Sequence, residues 1–164
     1  MAVDEVLAKV RNYRCPLVEI TGGEPLMQKE VYLLAERLLD EGYKVLIETN
    51  GSLDCSGLDP RVIRIIDIKC PSSGESEKMR WANLKNLRSS DEIKFVLSSR
   101  EDYEWSKEII KKYSLTEKCK VLFSAVFGKI EPKAIAEWIF KDNLPVIFNI
   151  QLHKYIWGPQ KRGV

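Results

Sequence analysis

The chain has 164 residues, of which 45% are hydrophobic and 30% charged, and a formal net charge of +2. That length suits one domain, spanning 1–164, able to bury about two-thirds of its unfolded surface. The near-neutral charge excludes a strong electrostatic footprint for nucleic acid, and no apolar run reaches the roughly 20 residues of a membrane span.

Asp4 and Glu5 sit where an export signal would need an apolar core, so a cytoplasmic protein is expected. Cys15, Cys55, Cys70 and Cys119 are spaced too widely for a CxxC, zinc or ferredoxin pattern, and read as reduced thiols. His153 is the only histidine, which excludes a multi-histidine metal site.

In chain order, Val3, Val6, Leu7 and Val10 share one face of a helix over 2–13. Leu17–Ile20 reads as a strand running into Thr21-Gly22-Gly23-Glu24-Pro25. Two glycines at a strand end leave backbone uncovered for close approach. Pro25 fixes φ for the element that follows. This stretch is either a ligand ledge or a plain βα turn.

A helix over 29–41 carries Val31, Leu34, Ala35 and Leu38 and stops at Gly42. Lys44–Thr49 is the next strand, ending at the loop tip Asn50-Gly51. Arg64–Lys69 is a third strand closed by Cys70-Pro71-Ser72-Ser73-Gly74, and a short helix is expected around Glu77–Asn83. Strands over Glu92–Ser98 and Lys120–Val126 follow, with a helix over 101–113 between them. Pro132–Phe140 is a helix started by its proline, and Val146–Leu152 is the last strand.

Strands alternating with helices predict a parallel α/β sheet wound by right-handed crossovers. Strands rich in Val, Ile and Phe suggest burial on both faces. Polar or glycine residues follow every strand, and in a parallel arrangement all of them share the carboxyl edge, where α/β folds bind ligands. Glu48 and Asp67 stand inside apolar strands, where a carboxylate must be paired or hydrogen-bonded. For Asp67 an ion pair with Lys69 or Lys94 is favoured over a ligand contact; for Glu48 the ligand contact is favoured. His153 reads as a packed or capped histidine or as a general base. No GxxxxGK[ST], GxGxxG or GxSxG motif is present, and no catalytic residue is assigned.

Four segments carry a family resemblance: Val18 to Leu26 with its Gly-Gly-Glu-Pro, Ile47-Glu48-Thr49-Asn50-Gly51, Asp67-Ile68-Lys69-Cys70-Pro71-Ser72-Ser73-Gly74, and Gln151 to Gly158. Together they resemble the 7-carboxy-7-deazaguanine synthases of queuosine biosynthesis, within the radical S-adenosylmethionine (SAM) superfamily. The resemblance implies a partial, parallel βα barrel related to the TIM barrel. It implies conversion of 6-carboxy-5,6,7,8-tetrahydropterin to 7-carboxy-7-deazaguanine, with SAM, a [4Fe-4S] cluster and Mg²⁺ as cofactors. It places Gly22, Gly23 and Glu24 at the methionyl end of SAM. Glu48, Asn50, Cys70, Pro71 and Ser72 would lie along its ribose and adenine, with Ser124 as a further contact. Thr21, His153 and the carboxyl terminus at Val164 would meet the pterin. The implied partners are a second copy of the chain as a homodimer and an electron donor such as flavodoxin, without direct nucleic-acid or membrane contact.

One departure stands out. The family's CxxxCxxC loop, which holds the cluster, and its early substrate loop are not among these residues. Met1 falls in what would be the helix between the first and second strands. The expected architecture is therefore a radical SAM barrel without its first strand, with no metal ligands in the chain. Cleavage of SAM is not expected from this chain alone. The competing reading is a cluster-free α/β remnant that binds SAM or a pterin, or a dimerising scaffold. An enzyme activating a glycyl-radical partner is disfavoured by the Gln151 to Gly158 segment.

Overall fold

In the computed structural model, which describes residues 1–161, the six apolar runs form one sheet of six parallel strands. They are β1 (Leu17–Ile20), β2 (Lys44–Thr49), β3 (Ile63–Ile68), β4 (Glu92–Leu97), β5 (Lys120–Ala125) and β6 (Ile147–Phe148), and their order in space is their order in the chain. The sheet is open, with β1 and β6 at its edges. The helices are α1 (Val3–Val10), α2 (Glu30–Asp40), α3 (Arg100–Tyr113), α4 (Leu115–Lys118), α5 (Pro132–Asp142) and α6 (Leu152–Ile156).

Local chemistry explains the element ends. Ser99 caps α3 by accepting the Asp102 N–H at 3.2 Å, and acidic residues at its start and lysines at its end match the helix dipole. Pro132 opens α5, and Asn143 closes it in the left-handed region.

Burial on both faces holds for the central strands β3 and β5, which are buried almost without interruption, whereas along β2 and β4 burial alternates, with the helix-facing residues the more deeply buried. Val45 and Ile47 point to the helix face and pack with Leu7, Val31, Ala35 and Leu38 of α1 and α2. Ile66, Ile68, Ile93, Phe95, Val121 and Phe123 continue it against Tyr103, Ile109 and Ile110 of α3 and Ile135 of α5. Each such side chain contributes about 1.5–3 kcal/mol on burial. The opposite face presents Glu48, Asp67, Lys94 and Ser124, the alternate residues of the same strands.

Two elements differ from the sequence pattern. The helix expected around Glu77–Asn83 is replaced by two 3₁₀ turns, Ser76–Lys78 and Trp81–Asn86. Met79 adopts extended backbone between them so that the Arg80 N–H can donate to the Gly51 carbonyl at 3.0 Å. The last strand shrinks from Val146–Leu152 to Ile147–Phe148. As an edge strand it has only β5 to pair with. After Asn149 donates to the Phe123 carbonyl the chain turns into α6. Leu152 and His153 therefore lie on a helix and not on a strand.

Candidate functional site

Because all six strands run the same way, the segments after each of them lie along one edge of the sheet. Thr21, Gly22, Gly23 and Glu24 follow β1; Glu48 and Asn50 lie at the end of β2; Cys70, Pro71 and Ser72 follow β3; Ser124 is in β5; His153 is in α6, beyond β6. The parallel topology thus gathers the sequence-predicted residues on one edge. Val164 lies outside the described residues.

The edge begins with a bare ledge. Gly22 and Gly23 have φ of +100° and +55°, and no atom lies within 4 Å of where a side chain would start. Glycine takes these angles without the strain an L side chain would meet. Among the described residues, no backbone hydrogen bond outside the sheet ladder uses their peptide groups. Glu24 fixes the ledge to the next strand. One carboxylate oxygen accepts the Leu26 N–H at 3.1 Å and the Thr49 hydroxyl at 2.8 Å; the other accepts the Asn50 N–H at 2.7 Å. Glu24 is thereby a clamp between the ends of β1 and β2.

The loop after β2 is held as firmly. At Gly51, φ is +71° and an added Cβ would stand 2.6 Å from the Met79 sulfur, so only glycine fits. The buried Asn83 side chain donates to the carbonyls of Gly51 and Leu53 and accepts the Cys55 N–H.

After β3, the Cys70 thiol turns into the core, 3.6 Å from the Ser106 hydroxyl, and burial pushes it up to about 12. Cys70 therefore faces the edge through backbone only. Ser72 donates its N–H to Asp102 at 3.1 Å, and Asp102 also accepts the N–H and hydroxyl of Ser98. Burial works to raise Asp102, but these hydrogen bonds prevail and hold it below the usual carboxylate range. Ser124 is fully buried and donates to the Asn149 carbonyl at 2.8 Å, tying β5 to the chain after β6.

On the uncovered face, Lys94 donates to Glu48 at 2.7 Å and Lys69 donates to Asp67 at 2.5 Å. The ion pair expected for Asp67 is present, with Lys69 as partner. Glu48 is also paired, which its position beside a loop did not signal. Burial and the Glu48 charge raise Glu19, at the β1 edge, above the usual carboxylate range. Three cavities open along the edge. One of about 330 Å³ is lined by Asn50, Ser52, Lys69, Glu75 and Lys78. Another, of about 250 Å³, has Phe127, Ile130, Phe148, Ile150 and Tyr155 among its mainly apolar walls. The smallest, of about 110 Å³, lies at the ledge itself, beside Ile20, Thr21, Gly22 and Pro25.

Sequence reasoning missed Asp102 and Asn83 as organisers of this edge. The spacing Ser99-x-x-Asp102 was a readable capping signal for the first; nothing marked the second.

The cysteines do not make a cluster site. Cys15 is exposed, Cys55 and Cys70 are buried and Cys119 is half-buried. No group of three His, Cys, Asp or Glu side chains among the described residues could hold a metal ion. The cysteines therefore supply no three-thiolate set for a [4Fe-4S] cluster. No helix of the described residues is long and apolar enough to cross a membrane.

No protein-family model matches this chain. Among solved structures, QueE from Escherichia coli superposes with a TM-score of 0.71 at 20% identity, covering 92% of this chain and 64% of that one. SuiB from Streptococcus suis, bound to S-adenosylmethionine, superposes with a TM-score of 0.66 at 12% identity, covering all of this chain and 46% of that one. At such identities these two establish the fold. Sequence relatives go further. The 7-carboxy-7-deazaguanine synthase of Chlorobaculum tepidum is 45% identical, covering all of this chain and 76% of the relative. That of Koribacter versatilis is 42% identical, covering all of this chain and 79% of the relative. With identity at this level along its whole length, the chain belongs to the 7-carboxy-7-deazaguanine synthase family of radical SAM enzymes.

Proposed function

We propose that this chain forms the SAM- and pterin-binding wall of a 7-carboxy-7-deazaguanine synthase, which converts 6-carboxy-5,6,7,8-tetrahydropterin to 7-carboxy-7-deazaguanine. The observation that carries the reading is the Gly22–Gly23 ledge: uncovered peptide groups at positive φ, held by Glu24 to the end of β2, on the edge where all the family segments meet. Its carbonyls suit the ammonium of the methionyl end of SAM. Asn50 offers a free side-chain NH₂ beside the ledge, since its Oδ1 accepts the Ser52 N–H. The exposed Pro71-Ser72 turn continues the groove toward a ribose and adenine. Thr21 and His153 lie on the same edge and are assigned to the pterin, with Val164 joining them. Cys70 contributes backbone only, while Glu24 and Ser124 position the edge without pointing a free group into it.

SAM supplies a 5′-deoxyadenosyl radical when it is reductively cleaved. The residues described here bind and orient; they hold no thiolate set for the cluster, and we derive no step through it. The same reading carries a single domain, Mg²⁺ as cofactor, a homodimer, a flavodoxin-type electron donor and a cytoplasmic setting. Exposed Ile147, Leu152, Ile156 and Trp157 provide apolar surface for a second copy.

Calorimetric titration of the chain with SAM and with the carboxypterin tests the reading. Saturable binding of both is expected. Gly23→Val, which sets a β-branched side chain at φ +55° over the ledge, should abolish SAM binding and spare the pterin. His153→Ala should weaken the pterin alone by about tenfold, the equivalent of one hydrogen bond. SAM binding that survives Gly23→Val would rule out the ledge.

A further inference from the structure

A further cavity, of about 240 Å³, lies between the loop that follows β2 and the 3₁₀ turn Trp81–Asn86, away from the edge that carries the ledge. Asp54, Ser56, Arg64, Arg80, Lys85 and Asn86 are among its walls, three cations against one anion. Like charges gathered on one cavity repel each other unless a counter-charge joins them. The chain's own carboxylates answer this only in part. Asp54 accepts from Arg80 Nη2 at 3.0 Å, as a half-exposed pair. Asp91 stands behind Arg64 but is shared with Arg88, so one carboxylate serves two guanidinium groups. Lys85 is exposed and forms no ion pair among the described residues.

Arg64 points most directly to a ligand. It is only 6% exposed. Its Nε and Nη2 are spent on Asp91 and the Asn86 carbonyl. Nη1 makes no hydrogen bond among the described residues. It is not enclosed by protein either, since Asp67 Oδ1 is the one enclosed side-chain oxygen or nitrogen there without a partner. Arg64 therefore turns two unused N–H groups of a buried cation toward the cavity it lines. The walls are already in place around them. Arg80 donates its N–H to the Gly51 carbonyl at 3.0 Å, and Asn83, also in the wall, donates to the carbonyls of Gly51 and Leu53. A site held in shape by its own backbone contacts loses little order on binding.

The donors select the class of ligand. A planar carboxylate fits one guanidinium fork, whereas a tetrahedral phosphoryl group accepts from cations that arrive from several directions. Ser56 and Asn86 add neutral donors to the same wall. The volume lies below the roughly 300–1,000 Å³ of pockets for drug-sized ligands, which limits the occupant to a small one.

We propose that this cavity binds a phosphoryl group, as inorganic phosphate or a small phosphate ester, with Arg64 Nη1 at its base and Arg80 and Lys85 at its rim. The site is separate from the SAM and pterin reading and stands or falls without it.

Calorimetric titration with inorganic phosphate and with glycerol 3-phosphate, at an ionic strength held constant with sodium chloride, tests the proposal. Saturable binding of one equivalent is expected. Lys85→Glu should weaken it about tenfold, and Asp54→Asn, which removes the anion and releases Arg80, should tighten it about threefold. A merely structural role for these residues would not move affinity in opposite directions. Inorganic phosphate bound at least as tightly as the ester assigns the site to the free ion, and tighter binding of glycerol 3-phosphate assigns it to a phosphate ester. Both side chains are exposed, so both variants should melt within a few degrees of the parent. If either fails to fold, the side-chain ¹⁵N resonances of Arg64 in the parent decide, and should move on saturation with phosphate but not with chloride. No saturable binding of either probe, affinity unchanged in both variants, or Arg64 resonances that ignore phosphate would overturn the proposal and give Nη1 to water.

Discussion

The two ends of the sheet handle buried charge in opposite ways. At the amino edge, Asp91 is fully buried and saturated. It accepts from the Arg64 N–H at 3.1 Å and Arg64 Nε at 3.2 Å, from the Arg88 N–H at 2.9 Å and Arg88 Nη2 at 3.0 Å, and forms an ion pair with Arg64 Nη2. The guanidinium groups also donate to the carbonyls of Asn86 and Val62. Burial works to raise Asp91, but its arginine partners prevail and hold it below the usual carboxylate range. At the carboxyl edge, Asp67 keeps one oxygen unpaired and Gly22 and Gly23 face open space. A saturated carboxylate can only stabilise; an unsaturated one has capacity left for something outside the chain.

That contrast breaks most severely at Asp91. Asp91→Ala leaves two guanidinium groups without their carboxylate, and should cost about 3–5 kcal/mol of global stability in urea denaturation. The parent should show a matching acid limb. Because the folded Asp91 binds its proton less tightly than the unfolded chain does, its contribution is present above the unfolded value near 3.8 and disappears as pH falls through the lower folded value. A loss below 1 kcal/mol in Asp91→Ala would show that the amino edge is not the closed knot described.

Glu24→Ala probes the other end and should act locally. It removes the acceptor for two backbone N–H groups and one hydroxyl, at about 1–3 kcal/mol. Amide exchange should accelerate at Leu26 and Asn50 while the amino edge keeps its protection. Equal acceleration at both edges would dissolve the distinction between them.

The smallest expected effect sharpens the comparison. Glu19 is raised in the folded state, so its favourable contribution is full below the unfolded value near 4.5 and is lost as pH rises through the folded one. Near pH 7, Glu19→Gln should therefore stabilise by a few tenths of a kcal/mol, given the solvent screening at this exposed edge. The gain should vanish near pH 3, where both proteins are neutral at this position. Paired thermal melts at the two pH values check it, and a gain that grows on acidification would reverse the sign argued here.

Much of this was legible in the chain itself. Apolar runs at a regular step, separated by helical patterns, specify parallel strands, because a strand and its crossover helix need a fixed length of chain. Once the strands are parallel, the polar segments after them must share an edge, so Thr21, Gly22, Asn50 and Ser72 come together without further information. Glycine at positions 22 and 23 permits the positive φ found there without fixing it. Two local readings missed. The 3₁₀ turns around Met79 depend on Gly51, far back in the chain, accepting a bond from Arg80. The shortened β6 depends on having a neighbour on only one side. Neither condition is a property of the local sequence.

The sequence by itself determined the parallel βα alternation, the edge on which the site residues meet and the family to which they belong, because these follow from periodicity, chain direction and short motifs; the sequential strand order was read from the structure. Only the tertiary structure decided which charges are spent and which are free. Lys94 reaches Glu48 across β3, Glu24 ties the β1 ledge to the end of β2, and Asp67 has one oxygen filled and one empty. Hydrogen-bond saturation is set by distances between residues remote in the chain, and no spacing along one strand encodes it.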